Sequence, residues 1–261
     1  MANKLIPEPQ GTYALELLTN LGSAADSFVL AGAQALKFLL PKARATRDFD
    51  FVLDVVALRE ASVPIATILE KLGYAAIPGA QNFQFQKTIP DSIEIMRIEF
   101  MAPSEYKRKN DFRVDIQENV HAHACDGGKI VLAESELREL SGRLPNGQNA
   151  TIAVRVTLPH SLVLLKCLAI DDRYRNLRGP EHAEHDRSEA RTHVEDIVAV
   201  LTAQTNLPRR KPLLSYYIQL VEESQRSAIT RFSGENDAYN RLTFFPVVPT
   251  DVPLWEGCQA K

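Results

Sequence analysis

The architecture of this chain follows from two stretches, Phe28-Val29-Leu30-Ala31-Gly32 and Thr46-Arg47-Asp48-Phe49-Asp50-Phe51. The first is a short apolar run closed by a glycine, a pattern typical of a buried strand that turns into a helix. The second alternates so that, in a strand, its two aspartates point to one face while Phe49 points to the other. The two stretches therefore predict a strand, a glycine turn, a helix and a second strand that carries a pair of carboxylates.

The segments around these stretches alternate between strand-like and helix-like patterns as far as residue 157. Strands are predicted at 28–31, 48–53, 83–87, 93–101, 112–116 and 152–157. Helices are predicted at 33–40, 63–72, 161–174, 188–203 and 213–229. We therefore expect an α/β fold with a domain boundary near residue 157. Residues 1–157 would form a mixed sheet with flanking helices, and residues 158–261 a helical domain with an irregular C-terminal tail.

Composition narrows the class of protein. The chain is 45% hydrophobic and 24% charged, which is the ordinary mix of a protein with a packed core. Its net charge of −3 excludes a generally basic surface, so nucleic acid would have to bind at local patches. Basic residues do cluster at 107–109, 173–178 and 209–211. Three scattered cysteines, no long apolar run and no signal-peptide pattern predict a cytoplasmic protein without a membrane span.

The two aspartates of Asp48-Phe49-Asp50 are the main candidates for a catalytic or metal-binding site. Two carboxylates on one strand face repel each other unless a cation lies between them. Mg²⁺ suits this role, because it takes hard oxygen ligands and is usually shared between carboxylates and substrate phosphates. The glycine at position 32 would let a phosphate approach the backbone at the start of a helix, which favours anions.

The Gly32-Ala33 turn, the helix and the sequence Arg44-x-Thr46-x-Asp48-x-Asp50-Phe51 resemble the nucleotidyltransferase superfamily, and more narrowly its abortive-infection (type IV toxin) family. The resemblance implies a nucleotidyltransferase-like mixed sheet and Mg²⁺-dependent transfer of a nucleoside monophosphate from an NTP, with one or two metal ions. It also implies tRNA or another RNA as acceptor, and a small antitoxin-like protein as partner.

Later segments resemble other motifs of that family. The stretch 96–103 is similar to the strand with the third carboxylate, so Glu99 is expected to act as metal ligand or catalytic base, with Asp115 as the alternative. The stretch 156–169 is similar to the helix with a triphosphate-contacting lysine, here Lys166. Between residues 162 and 170 this is the only charged residue, so its ammonium must meet an anion or reach solvent. Arg173, seven residues on, lies close to the same helix face.

The stretch 191–197 resembles a helix with two acidic residues three apart, a catalytic or lysine-positioning element in the family. Asp196 matches the second acid, but His193 replaces the first, and Ala33 replaces a residue that is often serine. The resemblance thus assigns catalysis to Asp48, Asp50, Glu99, Lys166 and Asp196, and nucleotide binding to Gly32, Ala33, Arg47, Lys166 and Arg173. Because of these departures, an alternative function is that of a protein of this fold that only binds nucleotides. A second alternative is an enzyme that modifies a small molecule such as an antibiotic.

Two other groups of polar residues have weaker interpretations. The side chains of His121, His123 and Cys125 alternate and would share one strand face, where zinc could bind, although no fourth ligand is evident. The residues from His182 to Asp186 form a charged segment, which we expect to be a solvated loop.

Overall fold

The computed structural model describes residues 6–40, 43–44, 46–90, 92–109, 111–175 and 180–203. The chain divides into two compact units, Met1–Thr205 and Asn206–Lys261, and the described residues lie in the first. The helix predicted at 213–229 and the basic residues 209–211 fall outside the described residues. The domain boundary predicted near residue 157 lies within the first unit and stays a prediction.

The described part of the chain contains seven α-helices. They are α1 (Gln10–Leu21), α2 (Gly32–Leu39), α3 (Val55–Glu60), α4 (Ile65–Lys71), α5 (Gly128–Ala133), α6 (Pro159–Arg175) and α7 (Ala183–Ala203). Short 3₁₀ turns lie at Gly22–Ser27, Ser104–Tyr106 and Pro180–His182. Asp54 caps α3, because its carboxylate accepts a hydrogen bond from the backbone N–H of Ala57. No described helix combines the length and the apolar character that crossing a bilayer requires.

Nine strands form a single mixed sheet in the described residues. They are β1 (Phe28–Leu30), β2 (Asp48–Leu53), β3 (Ala75–Ala76), β4 (Gln84–Thr88), β5 (Ile95–Pro103), β6 (Arg113–Gln117), β7 (Val120–Cys125), β8 (Ser135–Arg143) and β9 (Asn149–Thr157). The strand order is β3-β4-β5-β2-β1-β9-β8, with β7 paired to the end of β5 and β6 paired to β7. Pairs β2–β5, β1–β9 and β5–β7 are parallel, and the others are antiparallel. The predicted α/β class, a mixed sheet with flanking helices, is therefore confirmed.

The central strand β2 has two different faces. Phe49 and Phe51, both 1% exposed, belong to the main core together with residues of α1 and α4. Full burial of a phenylalanine contributes about 1.5–3 kcal/mol, so these rings fix the register of β2. The opposite face carries Asp48 and Asp50, and then Val52, which packs with Val131 of α5. The alternation in the sequence thus holds both aspartates on one side of the sheet.

One segment differs from its prediction. The residues from His182 to Asp186 are not a loop, because α7 begins at Ala183. Asp186 is only 4% exposed, whereas His182, Glu184 and His185 are exposed, as predicted. Arg173 of α6 forms an ion pair with Asp186 at 3.3 Å, and this pairing allows the carboxylate to be buried between the two helices.

Candidate active site

Three carboxylates lie on one face of the sheet where β2 runs parallel to β5. Asp50 is opposite Glu99 and Asp48 is opposite Arg97 in the pairing of these strands. Gln84 of β4 donates a hydrogen bond from its amide nitrogen to Glu99 Oε2 at 2.8 Å. The structure therefore places Asp48, Asp50 and Glu99 on one face of neighbouring strands.

Asp115, the alternative third carboxylate, lies in another cluster. It is on β6, where its Oδ2 accepts a hydrogen bond from Arg108 at 2.6 Å. Its Oδ1 lies 3.2 Å from His121 Nδ1. Because Arg108 and Arg113 form ion pairs with this carboxylate, Asp115 is not a member of the carboxylate group.

The negative charge of the carboxylate group is only partly balanced. Burial raises the pKa of Asp50 to about 7, and the neighbouring charges of Glu99 and then Asp48 add to this rise. Lys166 and Arg44 oppose it. Loss of water also raises the pKa of Asp48, and Arg97 opposes that shift. A cation at this face would relieve the repulsion between the carboxylates.

The position of the Asp50 carboxylate requires a glycine at position 32. Its φ of +59° is unfavourable for residues with a side chain. A Cβ at this position would lie 1.7 Å from Asp50 Oδ2 and 2.7 Å from Asp50 Cγ. The glycine therefore makes room for the carboxylate at the start of α2. The following residue, Ala33, is 6% exposed and packs in the main core.

Lys166 of α6 meets an anion inside the protein. Its ammonium lies 2.6 Å from Asp196 Oδ2 of α7, and the two side chains are 5% and 6% exposed. Arg44 donates to both oxygens of Asp196 at 3.2 Å. Burial alone would raise the pKa of Asp196, but the hydrogen bonds from Arg44 and Lys166 outweigh burial and hold that pKa below its usual range. Asp196 therefore positions two cations whose fields also reach Asp50.

His193 lies on the same face of α7, one turn before Asp196. Burial, and next the charge of Lys166, lower the pKa of His193 to about 4, so its imidazole is neutral at pH 7. Its Nδ1 is buried without a hydrogen-bond partner. A neutral imidazole cannot supply the negative charge that an acid would supply here. Glu189, one further turn away, does act on Asp48, whose pKa it raises.

A surface pocket of about 350 Å³ opens beside Asp48. Its lining consists of Thr46, Arg47, Asp48, Ile93, Ile95 and Arg97. The predicted nucleotide-binding residue Arg47 thus lies next to the carboxylates. Arg173, predicted for the same role, instead has its guanidinium engaged by Asp186.

The donor set fits Mg²⁺ only when other oxygens complete it. Among the described residues, no three or more histidine, cysteine, aspartate or glutamate side chains are gathered closely enough to hold a metal ion. Glu99, predicted as the third ligand, therefore does not close a three-carboxylate cage with Asp48 and Asp50. One or two carboxylates plus substrate phosphates are the usual surroundings of Mg²⁺. The poorly balanced charge at Asp50 suits such a shared ion.

The residues considered for zinc have other neighbours. His121 lies against Asp115, and the ring of His123 lies 5.4 Å from that of Phe83. Burial, followed by the charges of Asp126, Glu99 and Asp50, raises the pKa of Cys125 to about 12, so its thiol is not a ready thiolate ligand.

Three site residues escaped the sequence analysis, namely Arg44, Glu189 and Gln84. Arg44 stands within the motif that carries the family resemblance, and its position there was the available signal. Glu189 is four residues before His193, so helical spacing places them on one face. Gln84 had no signal, because its role depends on the pairing of β4 with β5.

Comparison with known proteins adds little to this geometry. No protein-family model matches the chain, and no curated protein matches it. Among solved structures, the solution structure of the antibiotic-resistance factor ANT(2'')-Ia is similar, with 16% identity and a TM-score of 0.33. The match covers 82% of this chain and 98% of that one. A likeness this distant carries no argument about activity.

Proposed function

We propose that this chain is a Mg²⁺-dependent nucleotidyltransferase that moves a nucleoside monophosphate from an NTP to an acceptor. The proposal depends on one observation, namely that a group of carboxylates lies within the electrostatic reach of a pair of buried cations. Asp48, Asp50 and Glu99 lie on one sheet face, and the paired cations Lys166 and Arg44 act on Asp50. Such an arrangement suits a ligand that is both metal-bound and anionic, as an Mg²⁺–triphosphate complex is.

Each residue has a distinct role in this proposal. Asp48 and Asp50 would hold Mg²⁺, which supplies charge neutralisation and orientation of the phosphates. Lys166 and Arg44, held in place by Asp196, would attract the triphosphate, and Arg47 would contact it from the edge of β2. Glu99, fixed by Gln84, would accept the proton of the acceptor hydroxyl. The hydroxyl oxygen forms a bond to the α-phosphorus, the bond to the β-phosphate oxygen breaks, and pyrophosphate leaves.

For the acceptor we propose RNA, with tRNA as the first candidate. The support is the resemblance to toxin nucleotidyltransferases together with the exposed basic residues Lys107, Arg108 and Lys109. On the same resemblance and the composition, we also propose a small antitoxin-like partner and a cytoplasmic location. A small-molecule acceptor is the competing candidate for the same chemistry.

A second candidate function is nucleotide binding without transfer. It is favoured by the neutral His193, which stands where the family has an acid. Calorimetric titration with Mg²⁺ and each NTP, together with a pyrophosphate-release assay, separates the two functions. Binding with release that depends on Asp50 supports the transferase. Binding without release, in the presence of RNA and of a small-molecule cell extract, refutes it.

A further inference from the structure

Three aromatic rings pack together at the end of the sheet that carries Glu99. The rings of Phe83, Phe112 and His123 lie 5.3–6.0 Å apart, and each contacts the other two. Phe112 is 44% exposed, and the other two side chains are partly exposed. Most aromatic clusters of this size are buried in a core, because exposing them forfeits the gain from burial. We call these three residues the aromatic trio.

The pairing of the strands places the aromatic trio beside the carboxylates. His123 is opposite Met101 in the parallel pair β5–β7, and Glu99 is two residues before Met101 on the same face. Same-face neighbours on a strand are about 7 Å apart. The ring of Phe83 lies 5.4 Å from that of His123, which places it on this side of the sheet. In the strand order, Glu99 lies between the aromatic trio and Asp50, so the trio is on the far side of Glu99 from Gly32.

Basic residues precede Phe112 in the sequence. Lys107 and Lys109 are exposed in the segment that leads from β5 to Phe112. Arg108, between them, is held by Asp115 at 2.6 Å and helps to anchor the segment. Tyr106, at the start of the segment, is 38% exposed. Exposed rings that alternate with cations bind single-stranded nucleic acid, because bases stack on the rings while the cations contact phosphates.

We infer that the aromatic trio is the acceptor subsite, where a nucleobase of a single-stranded RNA stacks while Lys107 and Lys109 contact its phosphates. This inference rests on the proposed function, and it adds a residue-level site on the Glu99 side of the carboxylates. The triphosphate binds on the opposite side, near Gly32 and Lys166. A base on the trio would bring the ribose hydroxyl of its nucleotide toward Glu99, the group that accepts the proton.

The test uses the full chain and a short fluorescein-labelled single-stranded oligoribonucleotide, with a matching abasic oligomer as second probe. Fluorescence anisotropy is measured for the wild type and for Phe112→Leu, with the exposed Leu137 of β8 changed to alanine as control. We expect Phe112→Leu to weaken binding of the intact oligomer on the order of tenfold and to leave abasic binding unchanged. Leu137→Ala should bind both probes like the wild type.

Two further variants check the mode of contact. Phe112→Trp should retain affinity, and its indole fluorescence should be quenched by the intact oligomer but not by the abasic one. Lys107→Ala combined with Lys109→Ala should weaken both probes and flatten the salt dependence. Lys71→Ala, an exposed lysine on α4, is the matched control and should change neither.

Three outcomes would overturn the inference. The first is failure of the wild type to bind the intact oligomer. The second is an equal loss of affinity for both probes in Phe112→Leu. The third is weaker Mg²⁺–NTP binding in that variant, which would assign the rings to the triphosphate. Phe112-dependent RNA binding in a chain that does not bind Mg²⁺–NTP would support the stacking site and refute the proposed nucleotidyl transfer.

Discussion

Replacing Asp50 with asparagine tests the electrostatics of the site most sharply, because the pKa of this carboxyl is raised to about 7 in the folded chain. The folded state therefore holds a proton between about pH 4 and 7 that the unfolded chain has released. The contribution of Asp50 to stability therefore falls as pH rises through this window, and its ionised carboxylate then destabilises the fold. Each pH unit between the two pKa values is worth about 1.36 kcal/mol, which sets a ceiling of about 4 kcal/mol.

The expected gain for Asp50→Asn is smaller than that ceiling, about 1–3 kcal/mol at pH 8, because Asp50 is partly exposed and its charge is partly screened. Near pH 4 both chains carry a neutral group, so the difference should approach zero. Urea unfolding in metal-free buffer, measured at several pH values, gives the two free energies. Added Mg²⁺ should narrow the gap at pH 8, because an ion bound to the native state stabilises the wild type.

Asp26→Asn is the control for this experiment, since Asp26 is exposed and outside the carboxylate group. Its stability relative to the wild type should stay flat across the same pH range. An Asp50→Asn chain that is no more stable than the wild type at pH 8 would refute the reasoning. A gain that does not depend on pH would refute it equally.

Three more substitutions test neighbouring parts of the site. Gly32→Ala should cost more stability than Gly22→Ala by about 1–2 kcal/mol, since both glycines have positive φ but only the first meets Asp50; equal losses in thermal unfolding would contradict this. His193→Gln should be more stable than the wild type below pH 6.5, by about 1–3 kcal/mol near pH 4. The reason is that His193 binds a proton in the unfolded chain and must release it on folding, which costs the wild type stability. Unfolding curves of the two chains that fail to diverge on acidification would argue against a buried neutral imidazole. Lys166→Met should cost about 3–5 kcal/mol by leaving Asp196 with Arg44 alone, and adding Asp196→Asn should recover part of that loss in a double-mutant cycle; strictly additive effects would mean that the pair is not coupled.

Much of the central fold could be predicted from local patterns. The apolar run before Gly32 and the alternation at Asp48-Phe49-Asp50 correspond to β1 and β2, because burial on one face fixes a strand's register. The helix α1 was missed, although Tyr13, Leu17 and Leu21 recur at helical spacing and are buried. The edge strand β8 was missed because most of its nine residues are polar and only Leu140 is buried, and its pairing with β9 holds it in place.

The site was predictable where it depends on one segment, and not where it depends on the pairing of distant ones. Asp48 and Asp50 share a face by strand geometry alone. The charged segment at the start of α7 was interpreted as a solvated loop. The burial of Asp186 could not be predicted, because a sequence does not reveal that Arg173 would lie opposite it. Likewise, the register of β4 against β5, which brings Gln84 to Glu99, depends on the pairing of segments that are distant in the sequence.

The proposed activity is tested most directly by incubating the chain with Mg²⁺, α-phosphate-labelled NTPs and total cellular RNA, including tRNA. Wild type and Asp26→Asn should transfer label to RNA, and Asp50→Asn should not, although it folds and is at least as stable. A parallel incubation with a small-molecule cell extract in place of RNA tests the competing acceptor, and label that appears only there would assign it. No transfer by the wild type, or equal transfer by Asp50→Asn, would contradict the proposal that these carboxylates carry out nucleotidyl transfer.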